Sequence, residues 1–402
     1  MKGWMTATEA ATRLGVKPAT LYAYVSRGVL TRRRSPTGQS LFDPSEVDRL
    51  ARRGRPRRRP AADELVIESR ITALGEDRPY YRGRDALALS ESQPFESVAE
   101  WLWTGSEDAL AQKPAVWSAL AAGVEAGRAA QSGLPPDVLP LERLQVIVPA
   151  LAATDPLRAN LDPDAVVDVG RALIAGMVDS LPGPAAPAGT VTGGIAARLW
   201  AKLGPTRPRS RLADALRTAL VLVADHELAA STLAVRVAAS VRADPYAVVM
   251  AGLGTMSGPL HGGASLGAES LLTEAGSASP REVLGLRLRQ GERIPGHGHA
   301  VYRPTDGRFT TLFDRIRSLA GSHPVLATAD ALLAEARRRR LPEPNIDFAL
   351  AVLTRAAGMP LGSGEAIFAV ARTAGWLAHA REEYEHRTRL RLRALYTGPT
   401  PE

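Results

Sequence analysis

Residues 212–241, LADALRTALVLVADHELAASTLAVRVAASV, are apolar almost all round when wound at helical period. A surface helix keeps a polar face, so a segment without one has to be enclosed by other elements. The rest of the chain supplies them: from about residue 64 onward, apolar residues recur at helical spacing with few alternating runs of strand type. The Asp225–Glu227 polar cluster predicts a break inside the stretch. PFESVAEWLWTG repeats the pattern on a smaller scale, with Phe95, Val98, Ala99 and Leu102 on one side and Gly105 as terminator. LPGPAAPAGTVTGG, 181–194, reads as a loop between helices. At 402 residues the chain can bury a large core, and its length alone suggests about two or three domains.

Cysteine is absent, which excludes disulfides, thiolate zinc sites and a cysteine nucleophile and fits a reducing compartment. The opening MKGWMTATEA has no apolar core of signal-peptide length, and no stretch approaches about 18 uninterrupted apolar residues. The expectation is a soluble, cytoplasmic protein with no membrane partner. Charge is uneven: residues 1–60 carry 14 Lys or Arg against 4 Asp or Glu, a balance of +10, whereas the remaining 342 residues carry 36 against 38, a balance of −2. Any polyanion contact therefore belongs to the head. Only four of the 50 basic residues are Lys, and a general bias toward Arg accounts for the count as well as selection for phosphate binding does.

Within the head, residues 6–30 read as two short helices around a tight turn. Thr8 is placed to cap the first, with Ala10, Ala11 and Leu14 as its inner face; Gly15 and Val16 turn the chain, and Pro18 opens the second. That second segment, about Pro18–Arg27, presents Thr20, Tyr22, Tyr24, Ser26 and Arg27 around the apolar Leu21 and Val25. A turn at Gly28, a short hairpin with SPTG at its tip and a third helix from Asp43 or Ser45 follow. This order resembles the winged helix-turn-helix of the MerR and excisionase group over about residues 4–52. The resemblance implies a second helix entering a DNA major groove through Thr20, Tyr22, Tyr24 and Arg27, with Arg32, Arg33 and Arg34 of the wing on phosphates. A head kept only for packing or dimerisation has the same pattern. ARRGRPRRRPAADE, 51–64, holds six arginines within eight positions and two prolines, and reads as an extended basic linker.

The chemistry-bearing residues of the body fall in a few stretches. GPLHGGASLGAE, 258–269, sets His261 among glycines; a packed core histidine, a metal ligand and a catalytic group where something nears the backbone all fit. VADHELAAS sets His226 between two carboxylates in an otherwise apolar helix, which alone is the pattern of a buried hydrogen-bonded histidine. IPGHGHAVYRPTDGRF, 294–309, gathers His297, His299, Arg303 and Arg308 in one loop. Its H-x-H spacing has no Cys or carboxylate at ligand spacing, so no metal is expected. RRRRLPEPNIDFAL puts Asp347 after a Pro-rich turn and behind Arg337–Arg340, a run that reads equally as an exposed helix end.

Taken in order, YYRG, HELAAS, GPLHGGA, PGHGHAVYRPTDGR, PNID, ARTAGWLAH and RLRALYTG resemble the citrate synthase family over about residues 65–398. The resemblance implies a mainly α fold. It has large and small helical domains within 65–402, the small one inserted at about 263–345, preceded by the winged head (1–52) and the basic linker (53–64). It implies a citrate synthase-type acyltransferase joining acetyl-CoA to oxaloacetate, with no cofactor because the coenzyme A thioester is itself a substrate. In that reading Asp347 is the base that enolises the thioester methyl and His261 the donor to the enolising oxygen. His299 is the donor to the ketone of oxaloacetate, and His226 is a further oxaloacetate contact. Arg308, Arg372 and Arg391 fall on carboxylate-binding positions, with Arg372 acting across the interface of a homodimer. Arg303, Arg338 and Arg340 fall on positions that hold the phosphates of coenzyme A.

The chain departs from the family pattern at Ser265, where Asn is usual, at Gly307 and Leu392, where Pro is usual, and in the FALA that follows Asp347. Substrate choice therefore stays open between acetyl-CoA and propionyl-CoA, the substrate of 2-methylcitrate synthase, since one methylene shifts selectivity by only about 1–3 kcal/mol. A function of another class also stays open: a DNA-binding regulator whose body senses a metabolite. Such a sensor needs the arginines but not Asp347.

Overall fold

The structure, a computed structural model, describes residues 4–14, 16, 18–26, 29–35, 38–47, 67–183, 193–204, 211–386, 389–391 and 397–398. Gly15, Arg27, Gly28, the 53–64 linker, most of the 181–194 loop and Leu392 lie outside the described residues. The chain divides into two compact units, Met1–Glu68 and Ser69–Glu402.

In the head, the first helix is Ala7–Leu14 and its cap is Thr6, not Thr8. The Thr6 hydroxyl accepts from the Glu9 amide at 3.3 Å while the Glu9 carboxylate accepts from the Thr6 amide at 2.8 Å, a reciprocal pairing that satisfies two free donors at once. Strand Met5–Thr6 leads straight into this helix and pairs antiparallel with Ser40–Phe42, which pairs antiparallel with Arg32–Arg34. The last two strands are the expected hairpin. Helix Pro18–Ser26 contributes Leu21 and Tyr24 to a small core with Ala10, Ala11, Leu30, Phe42 and Val47. Tyr24 is 8% exposed, so it is a core residue and not a groove-facing one, contrary to the sequence reading. It lies three positions after Leu21 and so shares the buried face. Tyr22 is exposed, Thr20 is half-buried, and Arg32, Arg33 and Arg34 are all exposed, Arg33 lying 4.9 Å over the Trp4 ring.

The body opens on a small antiparallel meander that the sequence pattern does not announce: Thr72–Leu74, Pro79–Tyr81 and Arg84–Asp85. Strands of two or three residues are too short to show a period of two. Tyr81 from this meander is buried, and its hydroxyl donates to the Val221 carbonyl at 3.0 Å and accepts from the Asp225 amide at 3.3 Å. The remainder is helical. The all-round apolar stretch forms helices Leu212–Leu222 and Ala230–Ser240, broken at the polar cluster as expected. His226 therefore sits in the break and not within a helix.

The most enclosed element is helix Ser363–Glu385, with 20 of its 23 residues buried, so its neighbours must surround it. They include Phe95–Thr104, Pro140–Thr154, Pro163–Ser180, Ala230–Ser240 and Pro245–Met256. Glycine makes the approach possible: a Cβ on Gly252 would lie 2.7 Å from the Trp376 ring, and one on Gly375 2.5 Å from the Ala224 carbonyl oxygen. One group of charges carried into the interior is paired as a network. Arg236 pairs with Glu382 at 2.9 Å and with Glu383 at 2.6 Å, and meets His379 Nδ1 at 3.0 Å; His379 Nε2 lies 3.3 Å from Asp225 Oδ2. Among the described residues no helix is long and apolar enough to cross a membrane.

Candidate active site

The turn carrying His299 is sewn to the helix carrying Asp347. Gly296 and Gly298 adopt left-handed φ values of 73° and 83°, and a Cβ on Gly296 would press to 2.9 Å from the Phe348 Cβ. Across the seam the Gly298 amide donates to the Glu343 carbonyl at 2.7 Å and the Asn345 amide to the Gly296 carbonyl at 2.9 Å. Asn345 Nδ2 adds a bond to the Gly298 carbonyl at 2.8 Å, and its Oδ1 caps helix Ile346–Ala356 by accepting from the Asp347 amide at 3.0 Å. The Asp347 carboxyl meets no hydrogen-bond donor among the described residues. Burial outweighs the attraction of Arg308 and Arg372 and pushes it up to about 6. It is therefore ionised at neutral pH yet poorly solvated, the state of an effective proton acceptor.

His299 Nδ1 accepts from the amides of Val301 and Tyr302, at 3.0 and 3.1 Å. Burial, and then Arg308, holds the ring down at about 4, so at neutral pH it carries one proton, on Nε2. Nε2 lies 3.3 Å from Arg308 Nη2. Since both atoms bear hydrogen, neither accepts from the other, and each keeps an N–H able to donate to an oxygen. Arg308 is itself fixed by Asp306, which accepts from Nε at 3.0 Å and Nη2 at 2.9 Å and also from the Arg308 and Ile346 amides, each at 3.1 Å. Burial works against the guanidinium charge, but Asp306 outweighs it and holds the pKa up. Tyr302 stacks on His299 at 4.5 Å. The His226 ring stands 5.2 Å from His299, its buried Nε2 without a partner among the described residues. Burial, followed by Arg308 and Arg372, drives His226 well below the ordinary histidine value.

Arg372 extends from the central helix, its Nε donating to the Val223 carbonyl at 2.8 Å and its guanidinium lying 4.5 Å over the Phe368 ring. At 1% exposure, enclosed by its own chain, it cannot act across a dimer interface as the sequence reading had it. The helix that bears it is the innermost element and presents no surface at this point. The Phe368 ring lies 6.2 Å edge-on from His261, whose Nε2 is 2.7 Å from Ser231 Oγ. Trp376 Nε1 donates to that same Oγ at 3.2 Å; in the tautomer in which the serine hydroxyl donates to His261 Nε2, the neutral ring carries its proton on Nδ1. Burial, and then Arg372, holds His261 at about 4, hence neutral.

Two buried guanidiniums, neutral imidazoles with free N–H groups and one up-shifted carboxyl thus belong to one neighbourhood. Such a set holds a small carboxylate-bearing anion, polarises carbonyl oxygens and removes a proton from carbon next to a carbonyl. Other residues singled out from the sequence lie elsewhere. Arg391 is exposed in a non-helical segment and has no described contact with this group. Arg303 and Arg340 are exposed, and Arg338 is exposed and ion-paired with Glu335. His297 has its Nδ1 3.1 Å from the Pro295 carbonyl, and among the described residues no group of three His, Asp or Glu is placed to hold a metal. The sequence reading missed Asp306, Tyr302, Ser231 and Phe368. Asp306 was discoverable as a carboxylate at cap spacing before Arg308. Ser231 closes the HELAAS motif but carried no role there, and Phe368 gave no signal, because their contacts exist only where helices meet.

Residues 61–393 match the family described as "Citrate synthase, C-terminal domain", and residues 4–55 match "Helix-turn-helix domain". The chain is 30% identical over 356 residues to Citrate synthase 2 of Bacillus subtilis, covering 83% of this chain and 94% of that one. It is 28% identical to 2-methylcitrate synthase 1 of Corynebacterium glutamicum, covering 79% and 88%. The fold matches the citrate synthase of Thermoplasma acidophilum, solved as a ternary complex with carboxymethyl coenzyme A and oxaloacetate. The TM-score is 0.68 at 24% identity, over 85% of this chain and 96% of that one.

Proposed function

The chain belongs to the citrate synthase family, an enzyme of that type, and from this premise we propose how its own residues condense acetyl-CoA with oxaloacetate. Arg372, whose two Nη groups have no described hydrogen-bond partner, and the remaining Nη1 of Arg308 hold the carboxylates of oxaloacetate. The His299 Nε2–H and Arg308 Nη2–H polarise its ketone, with His226 beside them. Asp347 takes a proton from the thioester methyl while the His261 Nδ1–H steadies the charge that grows on the thioester oxygen. The resulting carbon nucleophile joins the ketone carbon, the ketone oxygen takes a proton, and water then cleaves the thioester to release citrate and coenzyme A. No cofactor enters. The observation that carries the reading is the Asp347 carboxyl, without a donor of its own and raised to about 6, beside two buried guanidiniums. A metabolite sensor has use for the cations but none for such a base.

Arg303 and Arg340 remain exposed cations suited to the phosphates of coenzyme A, and Arg338 can join them by leaving Glu335. Arg391 serves as a carboxylate partner only if a second copy brings it, which makes the working unit a homodimer. Co-expressed Asp347→Asn and Arg391→Ala chains should then recover part of the activity each lacks alone, because one site of the mixed dimer is intact; no recovery would exclude this role. The test of the main reading is thiol release from acetyl-CoA with oxaloacetate in the cytoplasmic pH range. Turnover no faster than without protein, together with tight oxaloacetate binding, would favour the sensor.

The head supports a second activity, DNA binding, through exposed Tyr22 and the exposed Arg32–Arg34 strand. Affinity for duplex should fall with salt by a slope of about −0.9 per phosphate neutralised. Absence of any salt-dependent shift with full-length protein would exclude it, and loss of turnover on deleting the head would make the head part of the enzyme's structure.

A further inference from the structure

Glu365 lies in the first turn of helix Ser363–Glu385, on the same stripe as Phe368 and Arg372, at positions i, i+3 and i+7. Phe368 is the ring against His261 and Arg372 is the cation of the site, so Glu365 occupies the next step of the face that the helix turns toward the chemistry. From the other side comes Gly263, two residues after His261: a Cβ there would lie 3.8 Å from Glu365 Oε1. Glu365 is 4% exposed, and its carboxyl has no hydrogen-bond partner among the described residues. Glu269 already accepts from the Gly362 and Gly364 amides at 2.9 and 3.0 Å, and a side chain on Gly364 would collide with Ser265 Oγ and come within 2.9 Å of Glu269 Oε1. Burial, followed by Glu269, Glu142 and Asp347, pushes Glu365 up to about 7, so at neutral pH it is available both to donate and to accept.

A buried carboxyl without a protein partner, on the helix face that also bears Phe368 and Arg372, calls for a polar partner, and a polar group of a ligand can supply it. We infer that Glu365 lines the place taken by a substituent on the acyl α-carbon, and that it selects a hydroxyl there over a methyl group. The preferred substituted substrate class is then a 2-hydroxyacyl thioester in place of an alkyl-extended one. This inference rests on the condensation proposed above and deepens it. The bonds made and broken are unchanged: the α-proton goes to Asp347, the α-carbon joins the ketone carbon, and water releases the thiol.

Glycoloyl-CoA and propionyl-CoA differ only by hydroxyl for methyl and so isolate the question. With oxaloacetate saturating, the wild-type protein should show kcat/KM for glycoloyl-CoA at least about tenfold above that for propionyl-CoA. Glu365→Leu should bring that ratio to one or below, while Glu365→Gln, which still hydrogen-bonds, should keep it above one. Because the ratio is taken within each variant, a partly unfolded preparation does not disturb it, and the wild-type ratio stands as a test even if Leu fails to fold. A wild-type preference for propionyl-CoA, or an unchanged ratio in Glu365→Leu, overturns the inference while acetyl-CoA turnover still upholds the condensation. No turnover with acetyl-CoA overturns both.

Discussion

Asp347→Asn should make the protein more stable while stopping its chemistry. Burial raises the Asp347 pKa from its ordinary 3.8 to about 6, about two units, and at about 1.4 kcal/mol per unit the ionised carboxyl costs the folded state about 3 kcal/mol. Since the folded value lies above the unfolded one, the stability attached to this group is fully present below about pH 4 and is lost as pH rises through about 6. Asparagine cannot ionise and escapes the loss. The variant should therefore exceed wild type by about 3 kcal/mol at pH 7.5 and by about 1.5 kcal/mol at pH 5. Denaturant unfolding followed by circular dichroism at the two pH values measures the difference. In the same preparations, thiol release should fall by a factor of about 10²–10⁴, the usual worth of a general base, with oxaloacetate affinity little changed. Equal stabilities at pH 7.5, or a gain that ignores pH, would refute the burial argument, and near wild-type turnover would remove Asp347 from the role of base.

In the wild type, kcat/KM should fall about tenfold per unit as pH drops below about 6, because the base must be ionised; His261 and His299, neutral down to about 4, should add no limb above pH 5. Asp306→Asn leaves the buried Arg308 without its counter-charge and should cost about 3–5 kcal/mol in denaturant unfolding. Since Asp306 also raises Asp347, the acid limb of the surviving activity should move to lower pH. Gly252→Ala drives a Cβ to within 2.7 Å of the Trp376 ring and should lower stability by about 1–3 kcal/mol, read by thermal unfolding.

The helical class of the body was legible because the 212–241 stretch has no polar face, which only enclosure by other helices can accommodate. Its break was legible too, from the polar cluster of Asp225, His226 and Glu227 inside an apolar stretch. His261, His299, Arg308 and Asp347 were picked out by the ordered motifs that resemble the citrate synthase family, whereas residue type and neighbours alone left each of them open. What could not be read was which groups face one another. Arg372 looks like any arginine on a helix, and only the packing of that helix at the centre puts its guanidinium against Phe368 and within its own chain's site. Tyr24 looks like a surface aromatic until Leu30, Phe42 and Val47 close over it. Protonation was decided in the same way. Sequence names a histidine or an aspartate, but burial and the placement of Arg308, Arg372 and Ser231 leave His261 and His299 neutral and Asp347 raised, because desolvation and charge proximity are properties of the assembled interior and not of the residue.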